Sequence, residues 1–146
     1  MRETRKLKLD ASYHVCARIN RQELALDAVS NKEMFLDTIK RCKTKYEFQI
    51  RNFCVMGNHI HFDITPVGNE SLSKIMQWLL SVFAIRYNKK YGIIGHLWYD
   101  RFKSRILNGF EDVKALYRYI ADNPVKAKLA LHPQDFIYSG AYHFKS

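Results

Sequence analysis

Two histidines separated by one residue, His59-Ile60-His61, carry the sharpest chemical signal in the chain. Along an extended strand, residues i and i+2 point to the same face. Both imidazoles then converge on one small region, while Ile60 turns away. Neutral imidazoles are good ligands for divalent metals, and a pair leaves positions open for a further ligand and for substrate oxygens. Asp63 follows on the same face, as a partner behind a histidine or, with less support, as a ligand. No cysteine and no third histidine stands at ligand spacing nearby. The plainer alternative is two half-exposed imidazoles on an ordinary strand, with Asp63 simply solvated.

A second cluster lies in Ala115-Leu116-Tyr117-Arg118-Tyr119-Ile120-Ala121-Asp122-Asn123-Pro124. Val113, Leu116 and Ile120 mark the buried stripe of a helix. At about 100° per residue, Tyr117 and Tyr119 fall on opposite flanks of that stripe. Tyr119 and Asn123, at i and i+4, lie one above the other. A phenol beside an amide oxygen could supply a nucleophile and complete a coordination begun by the histidines. With nine tyrosines in the chain, most must pack or hydrogen-bond, so Tyr119 and Tyr117 each also have a purely structural reading.

The 146 residues suit one domain, 1–146, with a basic arm at about 1–10 and a tail at about 130–146. Twenty-four Lys and Arg against 14 Asp and Glu give a net charge of +10. A small basic domain with 14% aromatics suits a polyanion, because cations neutralise phosphates and rings stack on unpaired bases. The alternative is a protein that its charge keeps soluble. A hydrophobic share of 47% excludes disorder. No stretch reaches the roughly 18 uninterrupted apolar residues of a membrane helix. No apolar run follows the basic start, so no secretory signal is expected. Cys16, Cys42 and Cys54 are odd in number and lack paired spacing, which excludes a disulfide scaffold or zinc ribbon and fits a reducing cytoplasm.

The elements that must position these residues follow from pattern. Tyr13–Ile19 reads as a strand, and Arg21–Val29 as a loop or short turn. Ser30 and Glu33 have capping-box spacing and open a helix with Phe35, Ile39, Cys42 and Tyr46 on one stripe. Phe48–Met56 and His59–Thr65 are strands joined by the Gly57-Asn58 turn. After a loop at Pro66–Glu70, Ser71 starts the longest helix, with Leu72, Ile75, Leu79, Val82 and Arg86 recurring at helical spacing, and Gly92 stops it. Leu97–Leu107 reads as an aromatic and basic strand. Phe110 to about Ile120 forms a third helix that Pro124 ends or kinks. The remainder, with Pro133, Phe136, Tyr138, Tyr142 and Phe144, should pack back over the body. This order predicts an α+β, ferredoxin-like fold: a four-stranded antiparallel sheet with helices on one face, plus a C-terminal helix carrying the tyrosine. Such a fold does not itself decide function.

Three blocks resemble a known family. Val55-Met56-Gly57-Asn58-His59-Ile60-His61-Phe62 resembles the His-hydrophobic-His signature of HUH-type single-tyrosine transposases, with Gly57 where Pro is commoner. Trp98-Tyr99-Asp100-Arg101-Phe102-Lys103-Ser104-Arg105 is similar to the aromatic-basic strand of their REP-associated branch. Tyr119-Ile120-Ala121-Asp122-Asn123-Pro124-Val125-Lys126-Ala127 is similar to that branch's Tyr-Ile-x-x-Asn-Pro-Val-(Arg/Lys)-Ala segment. The resemblance runs from about Tyr13 to Leu131, with the blocks in the family's order.

The resemblance implies a ferredoxin-like fold and a DNA-cutting and DNA-joining enzyme of transposition or recombination. It implies His59 and His61 as ligands of Mg²⁺ or Mn²⁺, Tyr119 as the nucleophile, and Asn123 where relatives carry a polar ligand, often the longer Gln. It also implies a 5′-phosphotyrosine intermediate on single-stranded DNA that contains a hairpin. The expected DNA-holding residues are Arg101, Lys103 and Arg105, alternating on one strand face, with Trp98, Tyr99 and Phe102. Arg86, Lys89, Lys90, Lys126 and Lys128 extend the field, and Arg2, Arg5, Lys6 and Lys8 form an arm. Each of these could equally be solvated basic surface. A homodimer or a monomer, since relatives include both, a cytoplasmic and nucleoid-associated location, no membrane and no small-molecule cofactor complete the expectation. The rival readings are a non-catalytic single-strand-binding module of the same fold and a domesticated transposase that binds without cutting.

Overall fold

Alternation of buried and more exposed residues along the first strand fixes the layering. The computed structural model describes residues 11–139. In β1 (Tyr13–Arg18), Tyr13, Val15 and Ala17 are buried. They sit opposite Ile64, Phe62 and Ile60 of β3 (His59–Pro66). Phe62 stacks on Phe35 of α1 (Val29–Lys45) with ring centroids 6.2 Å apart, and Phe35 meets Phe83 of α2 (Leu72–Tyr91) edge-on at 5.0 Å. Both helices therefore cover this apolar face. β2 (Phe48–Val55) and β4 (Lys103–Ile106) complete an antiparallel sheet in the order β2-β3-β1-β4. α3 (Phe110–Lys126) packs against β2 and β3. This is the expected four-stranded α+β arrangement, with the third helix set apart from the other two.

Local chemistry explains where the elements start and stop. Ser71 caps α2, its Oγ accepting from the Lys74 N–H at 3.3 Å, and Gly92 ends that helix in the left-handed region at φ 63°. The expected Ser30 cap is not used. α1 begins two residues earlier, its N-cap is Ala28 without a side-chain cap, and Ser30 Oγ accepts from Lys90 Nζ at 2.8 Å instead. The entry is pinned from outside the helix, by the Leu26 N–H donating to the Gly57 carbonyl at 2.8 Å. That approach is close: a Cβ on Gly57 would lie 3.1 Å from Asp27 Oδ1 and 3.2 Å from Leu24 Cδ2.

The late strand is shorter than expected, covering Lys103–Ile106 rather than Leu97–Leu107. Trp98 makes only an isolated bridge to Ile19. Its indole donates to the Leu80 carbonyl at 2.9 Å and packs beside Phe35 and Phe83. The Arg101 N–H then donates to Asp100 Oδ1 at 2.7 Å, a local turn that takes the chain out of the ladder. Pro124 lies inside α3, which continues to Lys126. Phe136 and Tyr138 are buried, and the Tyr138 carbonyl accepts from the Val55 N–H at 2.9 Å, so the chain packs back along β2. Tyr142, Phe144 and the basic arm at 1–10 lie outside the described residues. No helix among the described residues is long and apolar enough to cross a membrane.

Arg86 ties the helical layer together. Its Nη1 lies 3.0 Å from Asp37 Oδ2 and 2.8 Å from Thr38 Oγ1, and donates to the Met34 carbonyl at 3.4 Å. Arg86→Ala is expected to lower unfolding stability by about 1–2 kcal/mol, read as a shifted urea midpoint, because three acceptors lose a charged donor. An unchanged midpoint would show that the clamp contributes nothing.

Candidate active site

The face opposite α1 and α2 is polar. The β1–β3 register sets His14, Cys16 and Arg18 directly across from Asp63, His61 and His59. Cross-strand partners share a face. α3 brings Tyr119 and Asn123 to the same place, and a cavity of about 380 Å³ forms between these elements.

Within it, the His59 and His61 rings lie 4.9 Å apart, nearly perpendicular. His59 Nδ1 is 2.7 Å from Asn58 Oδ1. An amide oxygen only accepts, so the ring proton sits on Nδ1 and leaves Nε2 with its lone pair. His59 also has a side-chain hydrogen bond with Asn123. His61 Nδ1 lies 3.2 Å from His14 Nε2, which holds the His61 ring from behind. The Tyr119 ring stands edge-on to His61 at 5.3 Å and to His14 at 6.1 Å. Tyr119 is 48% exposed, so its ring is open to solvent. Tyr117 is as exposed but does not line the cavity.

The imidazoles are held neutral. Burial, followed by the charges of His59, His14 and Arg18, pushes His61 down to about 3. Burial and then Arg18 lower His59, and burial and then Arg105 lower His14. Neutral imidazoles keep the lone pairs that a cation needs. Among the described residues, no three His, Cys, Asp or Glu side chains form a metal-holding group. The donors that do converge are two imidazoles and the Asn123 amide. Their chemistry fits a divalent cation that keeps open positions.

A neutral, buried histidine has a consequence for the metal-free protein. On unfolding, His61 regains an ordinary value near 6.5, so below pH 6.5 the unfolded chain binds a proton that the folded chain refuses. Its stabilising contribution is complete above pH 6.5 and is lost as pH falls from there toward 3. The loss is expected at up to about 1.4 kcal/mol per pH unit, and His14 and His59 act in the same direction. Urea midpoints measured between pH 7.5 and 5 should fall over this range. A flat profile would contradict the neutral, buried His61.

Asp63 is neither solvated nor in the cavity. It is 1% exposed and sits 3.2 Å from Arg51 Nε of β2. This is a charge contact without an aligned hydrogen bond to either oxygen. Burial raises its carboxyl and Arg51 pulls it back.

The expected DNA-holding residues separate into groups. Lys103 and Arg105 pair with Cys16 and His14, so they stand exposed on the polar face beside the cavity. Arg101 and Tyr99 are exposed but belong to the loop before β4, not to an alternating strand. Trp98 is half-buried, Phe102 is buried in the core, and Arg86 is engaged between α1 and α2. Lys126 is exposed in the last turn of α3. Arg18, His14, Cys16 and Asn58 were missed. The signal for the first three was the alternation of β1, which puts them on the face opposite Val15 and Ala17.

The chain belongs to the IS200-like transposase family, whose profile matches residues 8–123. Among solved structures, it is similar to a REP-associated tyrosine transposase bound to a REP hairpin. That match has a TM-score of 0.81 and 21% identity, over 98% of this chain and 84% of that one. It is also similar to a putative transposase from Deinococcus radiodurans R1. Here the TM-score is 0.58 and the identity 16%, over 84% of this chain and 97% of that one. At these identities the likeness is one of fold. No curated protein matches the chain.

Proposed function

We propose that this transposase cuts and rejoins single-stranded DNA through a 5′-phosphotyrosine on Tyr119. The observation that carries the reading is the meeting of His59, His61, Asn123 and Tyr119, from two distant segments, in one cavity. His59, His61 and Asn123 would hold Mg²⁺ or Mn²⁺, and the imidazole pair suits Mn²⁺ better. When bound, the cation neutralises charge on the scissile phosphate.

Asn58 and His14 orient the two rings from behind, as outer partners of ligands do. Arg18, Lys103 and Arg105 face the same phosphate from the sheet and favour the negative charge that grows there. The Tyr119 oxygen bonds to phosphorus as its proton leaves. The bond to the 3′ oxygen breaks, its electron pair leaves with that oxygen, and the oxygen takes up one proton from water, in balance with the one Tyr119 releases to water, to become a 3′-hydroxyl. The phosphate stays on the tyrosine, so the energy of the broken linkage is retained for rejoining. Within one chain the Tyr119 ring stands 5.3 Å from that of His61, which supports attack within a single copy; a homodimer is a further part of the proposal. The substrate in this reading is hairpin-containing single-stranded DNA, like the hairpin held by the neighbouring structure. The reading puts the protein in a bacterial cytoplasm, with the nucleoid.

The test is a covalent adduct. The protein is incubated with end-labelled hairpin DNA carrying single-stranded flanks, in Mn²⁺ or Mg²⁺, and run on a denaturing gel. A shifted band that protease removes is expected. Salt-sensitive binding without any adduct would move the protein to the non-catalytic binding class.

A further inference from the structure

A second cavity lies apart from the histidines. It encloses about 740 Å³ between α2 and the loop that leads into β4. Its aromatic wall is Trp98 and Tyr99. Trp98 is immobilised by its bond to the Leu80 carbonyl and by Phe35 and Phe83. Tyr99 is 70% exposed. Gln77 and Ser81 of α2 also line it, and no other described residue engages their side chains. Arg101 stands at its rim.

The end of β1 contributes a residue to each cavity. Arg18 lines the histidine cavity, and its carbonyl accepts from the Tyr99 N–H at 2.8 Å. Asn20, two residues on, lines the larger one. Aromatic rings beside unengaged amide and hydroxyl groups match the face and edge of a nucleobase. The volume falls within the range of small-molecule sites. Arg18 lines the histidine cavity, and Arg101 lines the larger one together with Asp100.

We propose that this cavity takes one unpaired nucleotide of the DNA strand, close to the phosphate held in the histidine cavity. The nucleotide stacks on Tyr99, and Gln77 reads its edge. The inference rests on the single-stranded DNA substrate proposed above, but not on cleavage.

Its test is therefore made by binding, in EDTA. A set of oligonucleotides, each with one abasic position, is titrated against the parent protein and against Tyr99→Ala and Gln77→Ala. One position should weaken binding by about fivefold to a hundredfold, the range for loss of a stacked base. Tyr99→Ala should weaken the intact strand similarly and the abasic strand no further, with an unchanged salt slope because no phosphate contact is lost. Photocrosslinking with 5-iododeoxyuridine at that position should label Trp98 or Tyr99. A flat abasic profile, or crosslinks confined to β4 and α3, overturns the proposal even where the phosphotyrosine adduct forms. A positional effect without any adduct leaves this cavity standing and removes the phosphotyrosine reading. Absence of any single-strand binding overturns both.

Discussion

Tyr119→Phe is expected to form no covalent adduct with hairpin DNA, and Tyr117→Phe to form it at close to the parent rate. The loss expected for Tyr119→Phe is roughly a thousandfold or more, because the variant lacks the only oxygen that becomes bonded to phosphorus. The contrast between two neighbouring phenols makes the experiment specific. Both are near half-exposed on α3, so removing either hydroxyl should cost little stability. Only Tyr119 lines the cavity with His59 and His61. Circular dichroism and single-strand affinity should match the parent for both variants. An adduct that survives in Tyr119→Phe and vanishes in Tyr117→Phe would move the nucleophile to the other flank of the helix.

The second large effect concerns the histidines. His59→Ala and His61→Ala are expected to lose cleavage by more than about a hundredfold, the upper range for removing even a group behind a metal ligand. Single-strand affinity should fall much less, because phosphate contacts dominate binding. EDTA should reproduce the loss in the parent, and Mn²⁺ should restore it there but not in the variants. His61→Ala should also be less stable than His59→Ala, because His61 is 4% exposed and its removal leaves a gap in the sheet face. His14→Ala grades the series. It keeps both ligands but frees the His61 ring, so it should weaken Mn²⁺ binding by about tenfold to a hundredfold, measured calorimetrically without DNA. Equal cleavage in all of these variants and the parent would leave the imidazoles without a part in the chemistry.

The fold was legible wherever periodicity was strong. Tyr13–Arg18 alternates cleanly, Phe48–Val55 and His59–Pro66 flank a turn dipeptide, and the long helix announces itself with Ser71 and Gly92 at its ends. Helix spacing put Tyr119 above Asn123, and the resemblance of three ordered motifs implied that both would lie near the histidines, where the cavity has them. What failed depends on contacts between distant segments. Ser30 looks like a cap, but Lys90 from another helix occupies its hydroxyl. Leu97–Phe102 has strand-like residues, but Trp98 turns inward to the Leu80 carbonyl and the ladder breaks. Arg86 was expected to extend the DNA-holding field, but Asp37 and Thr38 claim it. His14 was missed because its partner His61 lies 47 residues away in sequence and becomes its neighbour only through the β1–β3 register.

The short run from Phe136 to Ser139 bears on how copies of the chain behave toward one another. By lending its Tyr138 carbonyl to Val55, and by bridging Ser139 to Cys54, it stitches shut part of a rim that would otherwise recruit strangers. At the far rim, β4 carries Lys103 and Arg105, whose like charge discourages a twin from aligning there while leaving a polyanion welcome. Cutting the chain before Phe136 should therefore show first as turbidity on concentration, well before any change in chemistry.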